Sequence, residues 1–304
     1  MINKDREKAA IHRSGFAAVI GKPNAGKSTL VNALAGTKVA ITSPRPQTTR
    51  HRIMGVRTNP GSQIIFVDTP GVVTASNELD SFMEKIYTEE SRQSDAVLFV
   101  ADGSVKCGDD DRKAAALLAP AVKTGVPVFL ILNKSDRTKN DANYDEYRAL
   151  GKFSAEFIIS AKEGEGLEKL VSSVSEVLPE GPQYFPPDMH TDQSPELFAA
   201  ETVREHVLKL IDEEIPHGVF AFTEEMREGK TPGTTYIRVH IYVERESHKG
   251  IIIGKNGKML KKIGEGARKE LAERMNCKIF LDLWVKVKDK WKNRRDLLRS
   301  WGYE

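Results

Sequence analysis

The sequence predicts two domains in series: a mostly parallel α/β sheet with helices on both faces, then a smaller α+β domain. Three observations lead there. Short apolar runs alternate with helix-like stretches through residues 14–178; a proline-rich segment then breaks the pattern; and a different order of elements begins behind it. A chain of 304 residues also exceeds what one ordinary core serves, so two domains are the natural expectation.

The first strand is FAAVIG, Phe16–Gly21, and it leads into the helix-like KSTLVNALAG. Gln63–Asp68, Ala96–Asp102, Val126–Asn133 and Glu156–Ser160 are further short apolar runs. Asp109–Ala119 and Gly166–Leu178 read as helices between and after them. Continuous apolar strands alternating with helices indicate a sheet buried on both sides. Residues 179–195 hold five prolines with little periodicity and read as a linker; residues 1–13 read as a flexible N-terminus. Residues 196–304 form the second domain. Glu196–Ile211 has a helical period. Gly218–Met226 and Thr234–Glu244 are strand-like, the latter alternating Ile237, Val239, Ile241 and Val243 with Tyr236, Arg238, His240 and Tyr242. Ser247–Ile253, a short loop and a helix to about Met275 follow. The last strand, Cys277–Val287, sets Ile279, Leu281, Leu283, Val285 and Val287 against Lys278, Phe280, Asp282, Trp284 and Lys286. The order is helix, strand, strand, helix, helix, strand.

Composition excludes several classes. No run approaches the ~20 apolar residues of a membrane span. The N-terminal MINKDREKAAIHRSG is charged and lacks an apolar core, so a secretory signal is not expected. Two cysteines, Cys107 and Cys277, far apart in sequence, argue against a disulfide framework and suit a reducing cytoplasm. The net charge of +3 conceals an uneven distribution: Arg245–Arg299 holds 17 Lys/Arg against 7 Asp/Glu. Such an excess suits a polyanionic partner.

GKPNAGKS comprises Gly21, Lys22, Pro23, Asn24, Ala25, Gly26, Lys27 and Ser28, with Thr29 following in the helix. A G-x-x-x-x-G-K-S loop between a strand and a helix turns backbone N–H groups around phosphate oxygens, and the helix N-terminus adds further donors. Lys27 is placed to reach the β- and γ-phosphates, and the Ser28 hydroxyl to bind Mg²⁺. In DTPG, Asp68 is placed to hold Mg²⁺ through water and the Gly71 N–H to meet the γ-phosphate. NKSD supplies Asn133, Lys134 and Asp136. The Asp136 carboxylate can accept from guanine N1–H and the 2-amino group, which adenine lacks, so an unpaired carboxylate rejects ATP. The Lys134 stem can lie on the base. SAK supplies Ser160, Ala161 and Lys162, with the Ala161 N–H available to guanine O6. Three such motifs in order, each at a strand end, leave a small-molecule kinase without an explanation for NKSD and SAK, and GTP and GDP are the expected ligands.

The second domain carries Gly254-Lys255-Asn256-Gly257 between two helix-like segments. Two glycines let the backbone approach a sugar–phosphate chain, while Lys249, Lys255, Lys258 and Lys261 supply charge. An apolar groove at Ile251–Ile253, with Ile252 at its centre, can seat about four unstacked bases. Phe280 and Trp284, beside Lys278 and Lys286, offer a second stacking platform, although packing against the tail of Trp291 and Trp301 is the expected use of both rings.

These motifs resemble the translation-factor-related GTPases, and ITSPRPQTTRHR (Ile41–Arg52) resembles the first switch segment of the Era family. The glycine loop with its flanking elements resembles a type II KH domain, and LDLWVKVKDKW and LRSWGY resemble the Era family's C-terminus. The resemblance covers nearly the whole chain. It implies that Thr49, with Thr48 as the alternative, gives a switch hydroxyl to Mg²⁺. It implies GTP hydrolysis, with Asn24, Lys27, Thr49, Asp68 and Gly71 as its residues. It implies binding to the 3′ end of 16S rRNA in 30S subunit assembly, and peripheral inner-membrane contact in some members. A cytoplasmic monomer with no DNA partner is the corresponding expectation. Many relatives have a glutamine where Val72 stands; a valine cannot orient water, so slow hydrolysis accelerated by a partner is expected. In similar potassium-activated GTPases an asparagine at the Asn24 position helps bind K⁺; stabilising the loop is the other role open to it. An RNA-binding scaffold with a purely structural nucleotide is the remaining rival.

Overall fold

A computed structural model of the chain describes residues 12–45, 47–71, 75–138, 141–211 and 215–303. The described residues fall into two compact units. The first takes those of Met1–Ala40, Arg52–Val72 and Ile86–Asp192, and the second those of Ile41–His51, Val73–Lys85 and Gln193–Glu304.

In the first unit the strands are β1 (Arg13–Ile20), β2 (Ile53–Asn59), β3 (Ser62–Asp68), β4 (Ala96–Asp102), β5 (Val128–Asn133) and β6 (Ala155–Ile158). They form one sheet in the order β2-β3-β1-β4-β5-β6. Every pair is parallel except β2–β3. β3, β4 and β5 are buried along their whole length, as strands covered on both faces must be. The helices are α1 (Lys27–Ala35), the part of α2 (Glu78–Gln93) from Ile86 onward, α3 (Asp109–Ala116), α4 (Ala119–Lys123), α5 (Tyr144–Arg148) and α6 (Leu167–Val177); α2 up to Lys85 belongs to the second unit. The helical stretch read as Asp109–Ala119 is thus two helices, with Pro120 in the first turn of the second, where a missing N–H costs nothing. β2 begins with a short buried stretch, residues 53–56, and its Arg57, Thr58 and Asn59 are only half-buried, as befits an antiparallel edge. β1 lies between β3 and β4, so the chain order reverses at its C-terminal end. That crevice is where an open α/β sheet binds ligands.

The proline-rich segment is hydrogen-bonded along this unit. Ser14 N–H donates to Pro179 O (3.1 Å) and Val56 N–H to His190 O (2.8 Å). The buried Gln63 amide donates to Phe185 O and accepts from the Tyr184 and Phe185 N–H groups.

The second unit has α7 (Pro195–Leu210), β7 (Phe220–Glu228), β8 (Thr234–Val243), α8 (Glu246–Ile253), α9 (Lys258–Met275), β9 (Lys278–Val287) and α10 (Arg295–Ser300). Ser194 caps α7, its Oγ accepting from Leu197 N–H (3.2 Å) ahead of Pro195. β8 pairs antiparallel with β7 and parallel with β9. One face of this sheet packs Ile237, Val239, Ile241 and Ile279 on Val203 and Val207 of α7 and on Ile263, Ala267 and Leu271 of α9. On the other face, Phe220 and Tyr242 are covered by Trp291, Trp301 and Tyr303 of the tail, together with Leu79 and Met83. Phe280 and Trp284 do not join them: they are 60% and 54% exposed. The expected packing of these two rings on the tail is therefore corrected. Trp301 stacks on Phe220 instead (4.3 Å between centroids), two strands away from β9.

Candidate nucleotide site and nucleic-acid interface

The loop after β1 is held from three sides. Lys27 is buried, and its Nζ donates to Gly21 O (3.1 Å) and Lys22 O (2.9 Å). Burial pushes its pKa down to about 8, with Asp68 opposing. A buried ammonium of this kind favours a nearby anion, and a phosphate has the charge to suit it. Ser28 Oγ donates to Asp68 Oδ2 (2.7 Å), joining the first turn of α1 to the end of β3. This hydroxyl and this buried carboxylate are hard oxygen donors of the kind that suits Mg²⁺. When bound, the ion neutralises charge on the phosphates. Thr49 is buried in the second unit, as part of the segment described below.

Two carboxylates that no motif announced complete the loop's support. Lys22 Nζ donates to the buried Asp111 (2.7 Å), which also accepts the Gly108 N–H at the start of α3. Asp102, the last residue of β4, accepts from Lys134 Nζ (2.5 Å) and from Ser104. Burial would raise its pKa, but these bonds outweigh burial and hold it below the usual carboxylate range. The same Lys134 Nζ donates to Asn24 O (2.7 Å), so the NKSD loop grips the tip of the phosphate loop. The useful signal in the sequence is an acidic residue closing a buried strand.

The guanine-reading residues meet at the ends of β5 and β6. Asn133 is buried; its Nδ2 donates to Ala25 O (2.9 Å) and its Oδ1 accepts from Ala161 N–H (3.0 Å). One amide therefore fastens three loops, and a guanine O6 has to share or replace the Ala161 bond. Ser160 Oγ donates to Asp136 Oδ1 (2.7 Å), which orients that carboxylate. Lys162 pairs with Glu163 (2.7 Å). Gly71 lies among the described residues, whereas Val72 and the reading placed on it lie outside them.

In the second unit the Gly254–Gly257 loop is a tight turn between α8 and α9, with Lys255–Gly257 in a 3₁₀ turn. Lys255, Asn256, Lys258 and Lys261 are exposed there, and Lys249 is half-buried beside Glu246. Ile252 is wholly buried in the core, so the expectation that it meets bases is corrected: the helix turns it inward. Its neighbours differ: Ile251 is 45% exposed and Ile253 half-buried.

The same unit also contains the segment Ile41–His51, held by cations and carbonyls. Arg45 donates to Leu208 O (2.9 Å) and Ile211 O (2.6 Å). Thr42 N–H donates to Glu205 (3.1 Å). Arg204, fully buried and paired with Glu201 (2.6 Å), donates to Thr48 O. Arg50 donates to Val219 O (2.6 Å) and lies over the Trp291 ring. His51 stacks on Tyr303 (4.3 Å). Burial depresses His51 to about 4, so it is a neutral ring at physiological pH. Burial would also raise Glu201, but Arg204 outweighs this and holds it ionised. Sequence reading singled out this segment but could not supply these partners, which lie more than 150 residues away.

Strand ends that converge on one phosphate-and-guanine cradle define a guanine-nucleotide-binding P-loop domain, and the second unit has the element order of a KH fold. Comparison with known proteins agrees. A family described as 50S ribosome-binding GTPase matches residues 16–134, and the KH domain family matches residues 214–292. GTPase Era of Halothermothrix orenii is 45% identical over 301 residues, covering 96% of this chain and 99% of the relative. GTPase Era of Geobacter metallireducens is 42% identical over 294 residues, covering 96% and 98%. A single-residue variant of Aquifex aeolicus Era bound to GDP·AlF4⁻ superposes with a TM-score of 0.90 at 38% identity, covering 96% of this chain and 99% of that one. Era in complex with MgGDPNP and nucleotides 1506–1542 of 16S ribosomal RNA superposes with a TM-score of 0.90 at 37% identity and the same coverage. The chain belongs to the Era family of GTPases.

Proposed function

We propose that this GTPase is a switch that binds single-stranded RNA, specifically the 3′ end of 16S rRNA, during assembly of the small ribosomal subunit. The observation that carries the coupling is the hold of α7 on Ile41–His51 through Arg45, Arg204 and Glu205. The relative solved with nucleotides 1506–1542 of 16S rRNA supplies the RNA class. Lys27 and the loop N–H groups bind the phosphates, Asp136 reads guanine, and Ser28, Asp68 and Thr49 hold Mg²⁺. Thr49 belongs to the segment that α7 grips, so one loop answers to two sets of partners. A rearrangement that the γ-phosphate imposes on it is felt by the unit that carries Gly254–Gly257. Val72 leaves the site without a water-orienting glutamine, so hydrolysis is slow until a partner assists.

Coupling of this kind is reciprocal. RNA bearing the 3′-terminal 16S sequence is expected to bind the complexes with a non-hydrolysable GTP analogue and with GDP at affinities differing by about 5-fold or more. The RNA in turn shifts the relative affinity for the two nucleotides by the same factor. Equal RNA affinity in the two states removes the switch and leaves two tethered modules. Asn24 sits in the left-handed region (φ 61°) at the loop tip, and we assign it a K⁺ site that supplies charge where an arginine finger would. Turnover is expected to be faster in KCl than in NaCl, with Asn24→Ala abolishing the difference; equal rates for the unaltered chain refute this.

A further inference from the structure

The sheet of the second unit has two faces, and the Gly254–Gly257 loop belongs to the helix-covered one. We propose that the opposite face carries a second, sequence-tolerant site for single-stranded RNA, on which bases stack against Phe280 and Trp284. The proposal rests on the RNA-binding reading above and extends it beyond the glycine loop.

The face is built by alternation. Tyr236, Arg238 and His240 of β8 stand opposite Phe280, Asp282 and Trp284 of β9. Their neighbours Ile237, Val239 and Leu281 point into the core. The tail covers the Phe220–Tyr242 end and leaves the β9 side open. Two large aromatic rings more than half exposed on an edge strand cost hydration free energy and are unusual on a closed surface.

The rings are also held in place. The Asp282 carboxylate accepts from Tyr236 Oη (2.8 Å) and Arg238 Nε (3.0 Å) on one oxygen, and from Trp284 Nε1 (3.1 Å) on the other. Tyr236 and Phe280 stack at 5.7 Å with an interplanar angle of 17°. Arg227 lies 4.3 Å over the Tyr236 ring. Flat, pre-oriented rings on a strand surface are how sheet-based RNA binders stack two or three bases, and stacking needs no particular sequence.

Charge selects a polyanion. Two acids of this face are paired with cations, Asp282 as above and Glu225 with Arg227 and Arg238; Glu224 lies 3.2 Å from His240, whose pKa burial lowers. Lys278 and Lys286 lie beyond the two rings at either end of the row. β9 also lies within the segment whose cations outnumber its acids by 17 to 7. β9 is an edge strand of this sheet, and α8, which leads into the glycine loop, packs against it.

The test uses the full chain, with oligoadenylate and the 16S 3′-terminal RNA as probes. Phe280→Ala/Trp284→Ala is expected to weaken both RNAs at least tenfold while leaving RNA-free GTP turnover unchanged. Phe280→Tyr/Trp284→Phe, which keeps the rings, retains most of the affinity. Trp284 is the exposed one of the chain's three tryptophans, so RNA is expected to quench its fluorescence, and ultraviolet crosslinks are expected to map to β9. Wild-type affinity in the ring-less variant overturns the platform but leaves the proposed function standing. So does a defect confined to lipid vesicles or to a ribosomal protein. Absence of RNA binding by the unaltered chain refutes the proposed function itself.

Discussion

Asp136→Asn is expected to lower the affinity for GTP and GDP by about 10²–10⁴-fold, with no loss of thermal stability in the nucleotide-free protein. The carboxylate accepts two guanine N–H groups; an amide turns one acceptor into a donor and removes the charge. Each such charge-assisted bond is worth roughly 1.5–3 kcal/mol, and 1.4 kcal/mol corresponds to a factor of ten. The Ser160 hydroxyl already fixes the orientation of Asp136 from Oδ1, so the side chain cannot swing to a compensating rotamer without losing that bond. The substituted site presents a donor where guanine has its 2-amino group, which suits xanthine, whose oxygen stands there. Xanthosine triphosphate is therefore expected to gain affinity as GTP loses it. Titration of a fluorescent nucleotide against each competitor measures both changes. Unaltered GTP affinity, or a uniform loss for GTP and xanthosine triphosphate alike, refutes the role assigned to Asp136.

The guanine-nucleotide motifs are legible because they are concentrated at strand ends. Short motifs after β1, β3, β5 and β6 name their own residues, and the parallel register brings those ends together. What stayed hidden is what holds them there. Asp102 is 32 positions from Lys134, and Asp111 is 89 from Lys22. Asp102 closes a buried strand, but nothing local names its partner, and nothing local distinguishes Asp111 from a solvated carboxylate. β2 is hard to read for a related reason: only its first four residues are buried, and Arg57, Thr58 and Asn59 give it a polar end that weakens the pattern by which a strand is read.

Alternation along β8 and β9 gave the two faces of the second sheet correctly, but it does not say what covers each face. Trp291 and Trp301 were apolar candidates for Phe280 and Trp284; the tail instead crosses at Phe220 and Tyr242. Ile252 illustrates the same limit. Three consecutive isoleucines on a helix cannot all face a groove, and the one at the core-facing position is buried. The first switch segment was recognisable by resemblance, whereas its grip by Arg45, Arg50 and Arg204 depends on carbonyls brought near by the fold.

Gly254→Asp is expected to reduce RNA affinity at least 100-fold, through two independent effects. Gly254 has φ 70° and ψ 171°, a region open to glycine and strained for other residues. A Cβ there would lie 2.7 Å from the Met259 Cβ, so α9 must shift away from the turn. The added carboxylate also faces the phosphates that the loop N–H groups should meet. Gly257 (φ 73°) separates the two effects, because a Cβ there meets nothing within 4 Å. Gly257→Ala therefore strains the backbone by roughly 1–2 kcal/mol but leaves α9 in place, and its RNA defect measures how closely the sugar–phosphate chain approaches. Lys255→Ala and Lys258→Ala leave the backbone untouched. Each is expected to weaken RNA binding evenly across sequences and to reduce the salt dependence by about one charge. Filter binding over a salt series, with thermal melting as the control for folding, distinguishes the three outcomes. RNA binding that survives Gly254→Asp in a folded protein rules out the glycine loop as the primary contact and leaves the exposed rings of β9 as the main RNA surface.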